Sequence, residues 1–477
     1  MPLGTSLTPS RRLESLDVLR GVTIAAMLLV NNPGSWSHIY WPLEHAAWNG
    51  WTFTDLVFPF FLFMVGMAMM YSFPKRIEAG DSNQTLLLHV ARRALALMML
   101  GWWGSTWSRI VWPGSASVFY EMDAGFLALT AGVLLRAGYA ALMLSAVVLL
   151  AGTRNVRAWT LALASGTVLF LGGAAVLGFD DTLLQAIANI RVPGVLVRIG
   201  TCYLLASAIY FLTPSASALV KWIVGLLAVY AAWMLLVPIP GFGMPDLNLG
   251  FPTADTPMDQ LFSNWAYFVD YHVFGTHTWS ARQLLGADGQ LIWSFDPEGL
   301  LSTIPAVGTV LFGMLTGLWM RRADLTDEGK LNGLFVGASW LMGLGLVASI
   351  WMPINKNLWT SSYTIFTAGM ALLTLAVLFH AIDMKGWRTW AVPFRSYGRN
   401  AIFAFVVSGM MAVTIGRLTV ASFDGSGTSS VKAWIYDALQ ALTGDVKLAS
   451  FLFALAFVSL WAAIAWWMDR RKIYFKI

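Results

Sequence analysis

Apolar runs of about 20 residues recur from one end of this 477-residue chain to the other. That length, coiled as a helix, crosses a hydrocarbon core of roughly 30 Å and satisfies every backbone N–H and C=O within the segment. Charged residues make up only 12% of the chain, against 57% hydrophobic residues. A soluble domain carries about a quarter charged residues to cover itself with polar surface. This chain cannot do so. Many Trp, among them Trp102, Trp103, Trp107, Trp112, Trp466 and Trp467, stand at the ends of apolar runs, where amphipathic rings anchor at the membrane interface. The fold class is therefore all-α, a polytopic membrane protein with about twelve transmembrane helices.

The spans read from hydropathy are about 17–32, 54–73, 88–107, 124–152, 157–178, 194–213, 217–238, 301–320, 331–352, 361–382, 397–418 and 449–469. The first is read as a membrane helix rather than a cleaved signal, because no small-residue cleavage site precedes Asn31 and Asn32. Twelve spans with both termini cytosolic put most Lys and Arg inside, including Arg11, Arg12, Lys75, Arg76, Arg92, Arg93, Arg154, Arg157, Arg321, Arg322, Lys385, Arg388, Arg470, Arg471 and Lys472. That is the bias that orients membrane proteins. Splitting 124–152 in two would invert everything after it, so it is read as one span. Extracytosolic loops then fall at about 33–53, 239–300 and 419–448, and most carboxylates, Asp180 and Asp181 among them, lie on that side. The basic charge follows from membrane orientation and implies no nucleic acid. The lone Cys202 excludes an internal disulfide and a Cys-based metal cage.

Charge at membrane depth is expensive and points to function until a structural partner is found. Asp17 and Arg20 share one helical face and can form an ion pair at the cytosolic end of the first span. A richer cluster joins Asn31 and Asn32 to the stretch Glu44-His45-Ala46-Ala47-Trp48-Asn49-Gly50 and to Asp55. A neutral imidazole is the commonest general base near neutral pH, a carboxylate can fix its tautomer, and amides can donate to a developing oxyanion. On residue types alone, a capping or interface role for His45 stays open. Arg191, Arg198, Asp296, Glu298, Asn355, Lys356, Asn357 and Trp359 also fall at outer helix ends, so several spans could assemble one polar chamber. Asn400 falls near the inner end of its span. His38 and His45 are separated by Pro and Trp rather than by helix, so no metal site is expected, and no phosphate loop or nucleophile elbow occurs.

These residues closely resemble the heparan-α-glucosaminide N-acetyltransferase family and its bacterial relatives. The resemblance starts at Arg12-Leu13-Glu14-Ser15-Leu16-Asp17-Val18-Leu19-Arg20-Gly21. It continues through Val30-Asn31, His45-Ala46-Ala47-Trp48-Asn49-Gly50 and Asp55-Leu56-Val57-Phe58-Pro59. It resumes at Arg191-Val192-Pro193-Gly194, Asp296-Pro297-Glu298-Gly299, Asn355-Lys356-Asn357-Leu358-Trp359 and Asn400, and ends in Arg471-Lys472-Ile473-Tyr474-Phe475. The resemblance implies a single transmembrane acyltransferase domain over 1–477, with acetyl-CoA as donor, an amino sugar as acceptor, and no metal. It implies His45 and Asn31 as active-site residues, supported by Asp55. Asp17, Arg20, Trp48, Asn49, Arg191, Arg198, Asp296, Glu298, Asn355, Lys356, Asn357, Trp359 and Asn400 are expected to bind substrate or cofactor. A bacterial inner membrane, lipid contacts and a homodimer are the expected setting. Two departures stand out: two extra spans at about 112–185, and a long loop whose His272, His277 and Trp279 have no aligned counterpart.

A transporter or flippase of a glycan or small polar solute is the competing class, and a non-catalytic scaffold a third. A transporter favours paired halves with broken helices and a midplane site. The sequence has no paired halves, and its polar residues gather at outer helix ends.

Overall fold

The computed structural model describes residues 13–107, 110, 126–152, 155–177 and 189–475. Arg11, Arg12, Trp112, Arg154, Asp180 and Asp181 lie outside the described residues. Among those described, long helices dominate: α1 (Glu14–Asn31), α2 (Phe53–Glu78), α3 (Asn83–Thr106), α4 (Phe126–Ala151), α5 (Val156–Leu177), α6 (Val195–Leu212) and α7 (Ala216–Leu236). A short α8 (Trp265–Phe274) precedes α9 (Thr303–Met320), α10 (Asp327–Ala348) and α11 (Ser361–Leu378). The chain closes with α12 (Val392–Arg399), α13 (Ala401–Arg417), α14 (Val431–Thr443) and α15 (Val446–Arg470).

Ten of these are long and apolar enough to cross a membrane, and the bent pair α12–α13 makes an eleventh. Helix α1 has the length as well, but carries Glu14, Asp17 and Arg20. Each expected span thus has its helix, and the chain is an integral membrane protein. The stretch 126–151 is one uninterrupted helix. The centre is built from α2 and α9, whose most apolar windows are 72% and 78% buried, against 17% for α5 and α10. A helix that buries so little of an apolar surface must present the rest to lipid.

Two features depart from a plain bundle. The expected span 397–418 is bent by 86° where α12 meets α13, at Asn400. Backbone contact fixes α12 against α1: a Cβ on Gly21 would lie 1.6 Å from the Phe394 carbonyl oxygen, and one on Gly398 1.9 Å from that of Asp17. Only glycine permits such an approach, and this is the physical reason for the Gly that ends Leu-Asp-Val-Leu-Arg-Gly. The loops also carry structure. Residues 239–300 fold into α8 and a hairpin of β1 (Gln283–Leu285) and β2 (Leu291–Ser294), paired Gln283 to Ser294 and Leu284 to Trp293. Residues 419–448 contain α14 and a hairpin of β3 (Thr419–Ala421) and β4 (Thr428–Ser430).

Candidate active site

His45 lies in the loop that enters α2, and Asp55 stands in the first turn of that helix. The first turn is where a helix presents unpaired N–H groups and favours a negative charge. Asp55 Oδ1 is 2.7 Å from His45 Nδ1. Its Oδ2 accepts from the backbone N–H of Ala46 and of Thr52, each at 3.0 Å, and from the Thr52 hydroxyl at 3.1 Å. The Thr52 hydroxyl is 2.5 Å from the Glu44 carbonyl, and the Tyr363 hydroxyl donates to the Asp55 carbonyl. A carboxylate bound so often cannot turn. With Nδ1–H donated to Asp55, the lone pair of Nε2 is available for other work. The Asp55 side chain is 1% exposed and that of His45 49%, so a hidden acid orients an accessible base.

The turn that carries Lys356 is stitched to the His45 loop. Asn355 Nδ2 donates to the Trp48 carbonyl and to Asn49 Oδ1, both at 3.0 Å, and the Gly50 N–H donates to the Ile354 carbonyl at 2.7 Å. Asn355 Oδ1 accepts from the Leu358 N–H. Trp359 ends the turn at a φ of 50°, a conformation that costs a residue with a Cβ about 1 kcal/mol. Its fully buried ring is held by Thr309 and packs edge-on against Phe58. Lys356 Nζ consequently lies 3.1 and 3.2 Å from the two His45 ring nitrogens and 3.8 Å from Asp55. Burial holds its ammonium pKa below the usual range, although Asp55 and Glu298 both oppose that.

A third wall comes from Arg191. Its Nε and Nη2 grip the two Asp296 oxygens at 2.7 and 2.6 Å, and Nη2 also reaches Glu298 at 2.5 Å. Burial raises the Glu298 carboxyl, but Arg191, Arg198 and Lys356 outweigh it and hold the group below its ordinary value. Asp270, in α8, lies beneath this wall and accepts from the N–H groups of Asp296 at 3.2 Å and Leu300 at 3.1 Å. Burial pushes its carboxyl up to about 7. A Cβ on Gly299 would come within 2.0 Å of that carboxylate, so the Asp-Pro-Glu-Gly turn requires its glycine.

Together these elements enclose a cavity of about 260 Å³, lined by Met27, Val30, Asn31, His45, Ala46, Ala47, Thr54, Val57, Phe58, Arg191, Val195, Phe251, Trp279, Arg282, Pro297, Glu298, Lys356 and Asn357. Of the residues expected from sequence, His45, Asn31, Arg191, Glu298, Lys356 and Asn357 line it. Asp55, Trp48, Asn49, Arg198, Asp296, Asn355 and Trp359 stand behind the wall and hold it. Asp17, Arg20 and Asn400 do not join it; they sit at the opposite end of α1. Asn400 Nδ2 donates to the Ile473 carbonyl and its Oδ1 accepts from the Phe475 N–H, so it anchors the C-terminal segment at the bend. Sequence reasoning overlooked Phe251 and Arg282, which have no local motif.

Arg20 and Arg399 belong to a second cavity, of about 500 Å³, whose polar lining is Arg20, Arg76, His89, Arg93, Arg399, Ser72 and Tyr203. Among the described residues that line it there is no carboxylate. Asp17 pairs with Arg20 at 3.4 Å and Asp469 with Arg399 at 2.8 Å from behind. The two cavities share a seam. On α2 the first ends at Phe58 and the second begins at Phe61; on α6 the limits are Val195 and Leu196. Three residues of helix advance only about 4.5 Å.

A catalytic-domain model of the heparan-α-glucosaminide N-acetyltransferase family matches residues 12–175, the stretch that contains Asn31, His45 and Asp55. Heparan-α-glucosaminide N-acetyltransferase of Homo sapiens is 24% identical over 428 residues, which cover 83% of this chain and 52% of the human protein. That of Mus musculus is 24% identical over 432 residues, covering 84% of this chain and 54% of the mouse protein. The chain is similar to this family along most of its length. It spans about half the length of the curated relatives it matches, and the alignment runs well past the residues of the catalytic model, so the Arg191 and Asn355 walls fall within the aligned length.

Proposed function

We propose that this protein is a membrane-embedded acyltransferase that moves an acetyl group from acetyl-CoA to the amine of an amino sugar at the outer face of a bacterial inner membrane. The observation that carries this reading is the oriented pair His45–Asp55 opening on a polar chamber, one helical turn from a cavity rich in arginine. In the reaction, the acceptor nitrogen attacks the thioester carbonyl carbon. The C–N bond forms, His45 Nε2 takes the amine proton, and the C–S bond breaks. The imidazolium returns that proton to the departing sulfur and leaves CoA as a thiol. Asp55, hydrogen-bonded at Nδ1, holds the tautomer and supports the imidazolium. Asn31 and Lys356 supply a donor and a cation to the oxyanion.

The second cavity suits the other end of the donor. Four arginines and a histidine facing one space, with no carboxylate in the lining, favour the CoA phosphates. Basic residues dominate that end of the helices, and the positive-inside bias makes it cytosolic. The donor would lie along the seam with its phosphates inside and its thioester between Phe58, Val195 and His45. The protein would thus serve as the passage between a cytosolic acyl pool and an outer acceptor. Acetyl-His45 as an intermediate is the competing chemistry. Incubation with labelled acetyl-CoA and no acceptor separates the two: a stable covalent label on His45 would overturn direct transfer. The function itself rests on acetylation of glucosamine-type acceptors by the purified protein, and its absence for every amino sugar would overturn it.

A further inference from the structure

Past α15 the chain turns back on itself and returns to the inner cavity. Lys472 has a φ of 57°. Around it the Ile473 N–H donates to the Met468 carbonyl at 2.9 Å, and the Lys472 N–H to that of Asp469 at 3.1 Å. This pattern reverses a chain at a helix end, and it usually employs glycine because a Cβ disfavours that backbone conformation. The reversal lays Lys472–Phe475 across the bend between α12 and α13. Asn400, 1% exposed, grips this strap at two points: its Nδ2 donates to the Ile473 carbonyl at 3.1 Å, and its Oδ1 accepts from the Phe475 N–H at 3.2 Å. The Tyr474 hydroxyl donates at 2.8 Å to Asp469, the carboxylate that also holds Arg399. The Phe475 ring stacks on Phe403, with centres 4.8 Å and planes 16° apart. It lines the cavity beside Arg20, Arg399 and Ile402, yet Phe475 is 50% exposed. It therefore stands at the rim.

The parts of that rim differ in how firmly they are held. Gly21 and Gly398 bring α1 and α12 into backbone contact, and parting them would unpack two helices. The strap is exposed from Arg471 to Phe475, and it is tied down by the Asn400 amide, the Tyr474 hydroxyl and the Phe403 ring. A segment so exposed opens locally well before the bundle does. We infer that Lys472–Phe475 is a latch at the cytosolic rim of the donor cavity, with Asn400 as its positioning residue. Closed, it keeps Phe475 against the bound donor; open, it releases CoA to the cytosol. This rests on the reading of the cavity as the seat of the donor phosphates. A donor that touches Phe475 favours the closed latch, and by reciprocity the closed latch holds the donor more tightly.

The test uses CoA as the probe, so that no turnover intervenes, on full-length protein in lipid nanodiscs. Trypsin cleavage after Arg471 or Lys472, followed by mass spectrometry, reads the open latch. Saturating CoA should slow that cleavage in the wild type by about 5-fold or more, the lower end of an ordinary coupling between sites. Asn400→Ala should raise the CoA dissociation rate by about 10-fold, the worth of one or two lost hydrogen bonds, with the association rate little changed. A variant that merely misfolds lowers the amount of CoA bound and leaves its rate constants alone. Phe475→Ala removes the ring at the rim without touching the bend, and it should speed dissociation as well. If Asn400→Ala does not fold, Phe475→Ala decides alone. CoA that binds the wild type without protecting the strap, or dissociation unchanged in the folded variants, would overturn the latch and leave the donor reading intact. Should the wild type bind no CoA, the donor reading fails first, and the latch falls with it.

Discussion

The outer chamber and the inner cavity lie on one seam and are built from opposite materials. Around the chamber, Asp55, Asp296 and Glu298 stand close to Lys356, Arg191 and His45, and most of these groups are tied to one another at 2.5 to 3.8 Å. The cavity presents Arg20, Arg76, Arg93 and Arg399 to one space, with no carboxylate among the described residues of its lining. A balanced cluster holds a base and an oxyanion donor at fixed positions, which serves a reaction. A surplus of one sign attracts a ligand of the other sign without doing chemistry. Damage to the chamber should therefore slow turnover, whereas damage to the cavity should weaken donor binding.

The largest effect is expected at His45. Replacing it with Ala should lower kcat by about 10³, the span of a lost general base, while acetyl-CoA binding by the purified variant is retained. Transfer at the wild-type rate would break the assignment of chemistry to the chamber. Asp55→Asn comes next, with a loss of about 10² in kcat at unchanged donor affinity, because an amide at that site can present its N–H to Nδ1 and select the wrong tautomer. If donor KM moved instead of kcat, Asp55 would be a binding residue and the division would blur.

Arg93→Gln probes the other side. It lines the cavity, stacks at 5.8 Å on Tyr203 and belongs to none of the chamber walls. An increase of about 10-fold in KM for acetyl-CoA is expected, with kcat and acceptor KM close to wild type. In the wild type the same KM should rise with ionic strength as salt screens the cavity. A variant that lost kcat alone would place chemistry where only anchoring is expected.

The spans were legible because hydropathy is a local signal and lipid tolerates few alternatives. The bend at Asn400 was not, since it depends on Gly21 and Gly398 meeting the backbone of another helix and on a hydrogen bond to Ile473. For the site, the motifs around His45 and Asn355 were visible, but that they bind one another through Asn355 and Asn49 was not. Asp17, Arg20 and Asn400 were expected to bind substrate or cofactor from the inner helix ends, and the bundle does hold them at that end, away from the His45 chamber. Arg282 left no trace in the sequence, because Phe251, Trp279 and Phe295 meet it only in the fold.

The smallest effect is expected at Asp270, which touches neither cavity and holds the Asp296–Leu300 turn by two backbone N–H groups. Burial pushes its pKa well above the usual carboxylate range, up to about 7, although those two bonds favour the carboxylate. A folded-state pKa above the unfolded one means that the fold favours the protonated form. Its contribution to stability is then fully present below about pH 4 and is withdrawn as pH rises through about 7. In wild-type protein this adds a downward slope of Tm between about pH 4 and 7, worth a few degrees. Asp270→Asn should flatten the slope, since an amide has no proton to lose there. The Arg191 wall rests on this turn, so kcat/KM for the acceptor should share the same pH dependence, whereas KM for acetyl-CoA at the opposite end of the seam should not. A slope that persists in Asp270→Asn would assign it to another group, and a donor KM that followed it would show the two cavities to be coupled rather than separate.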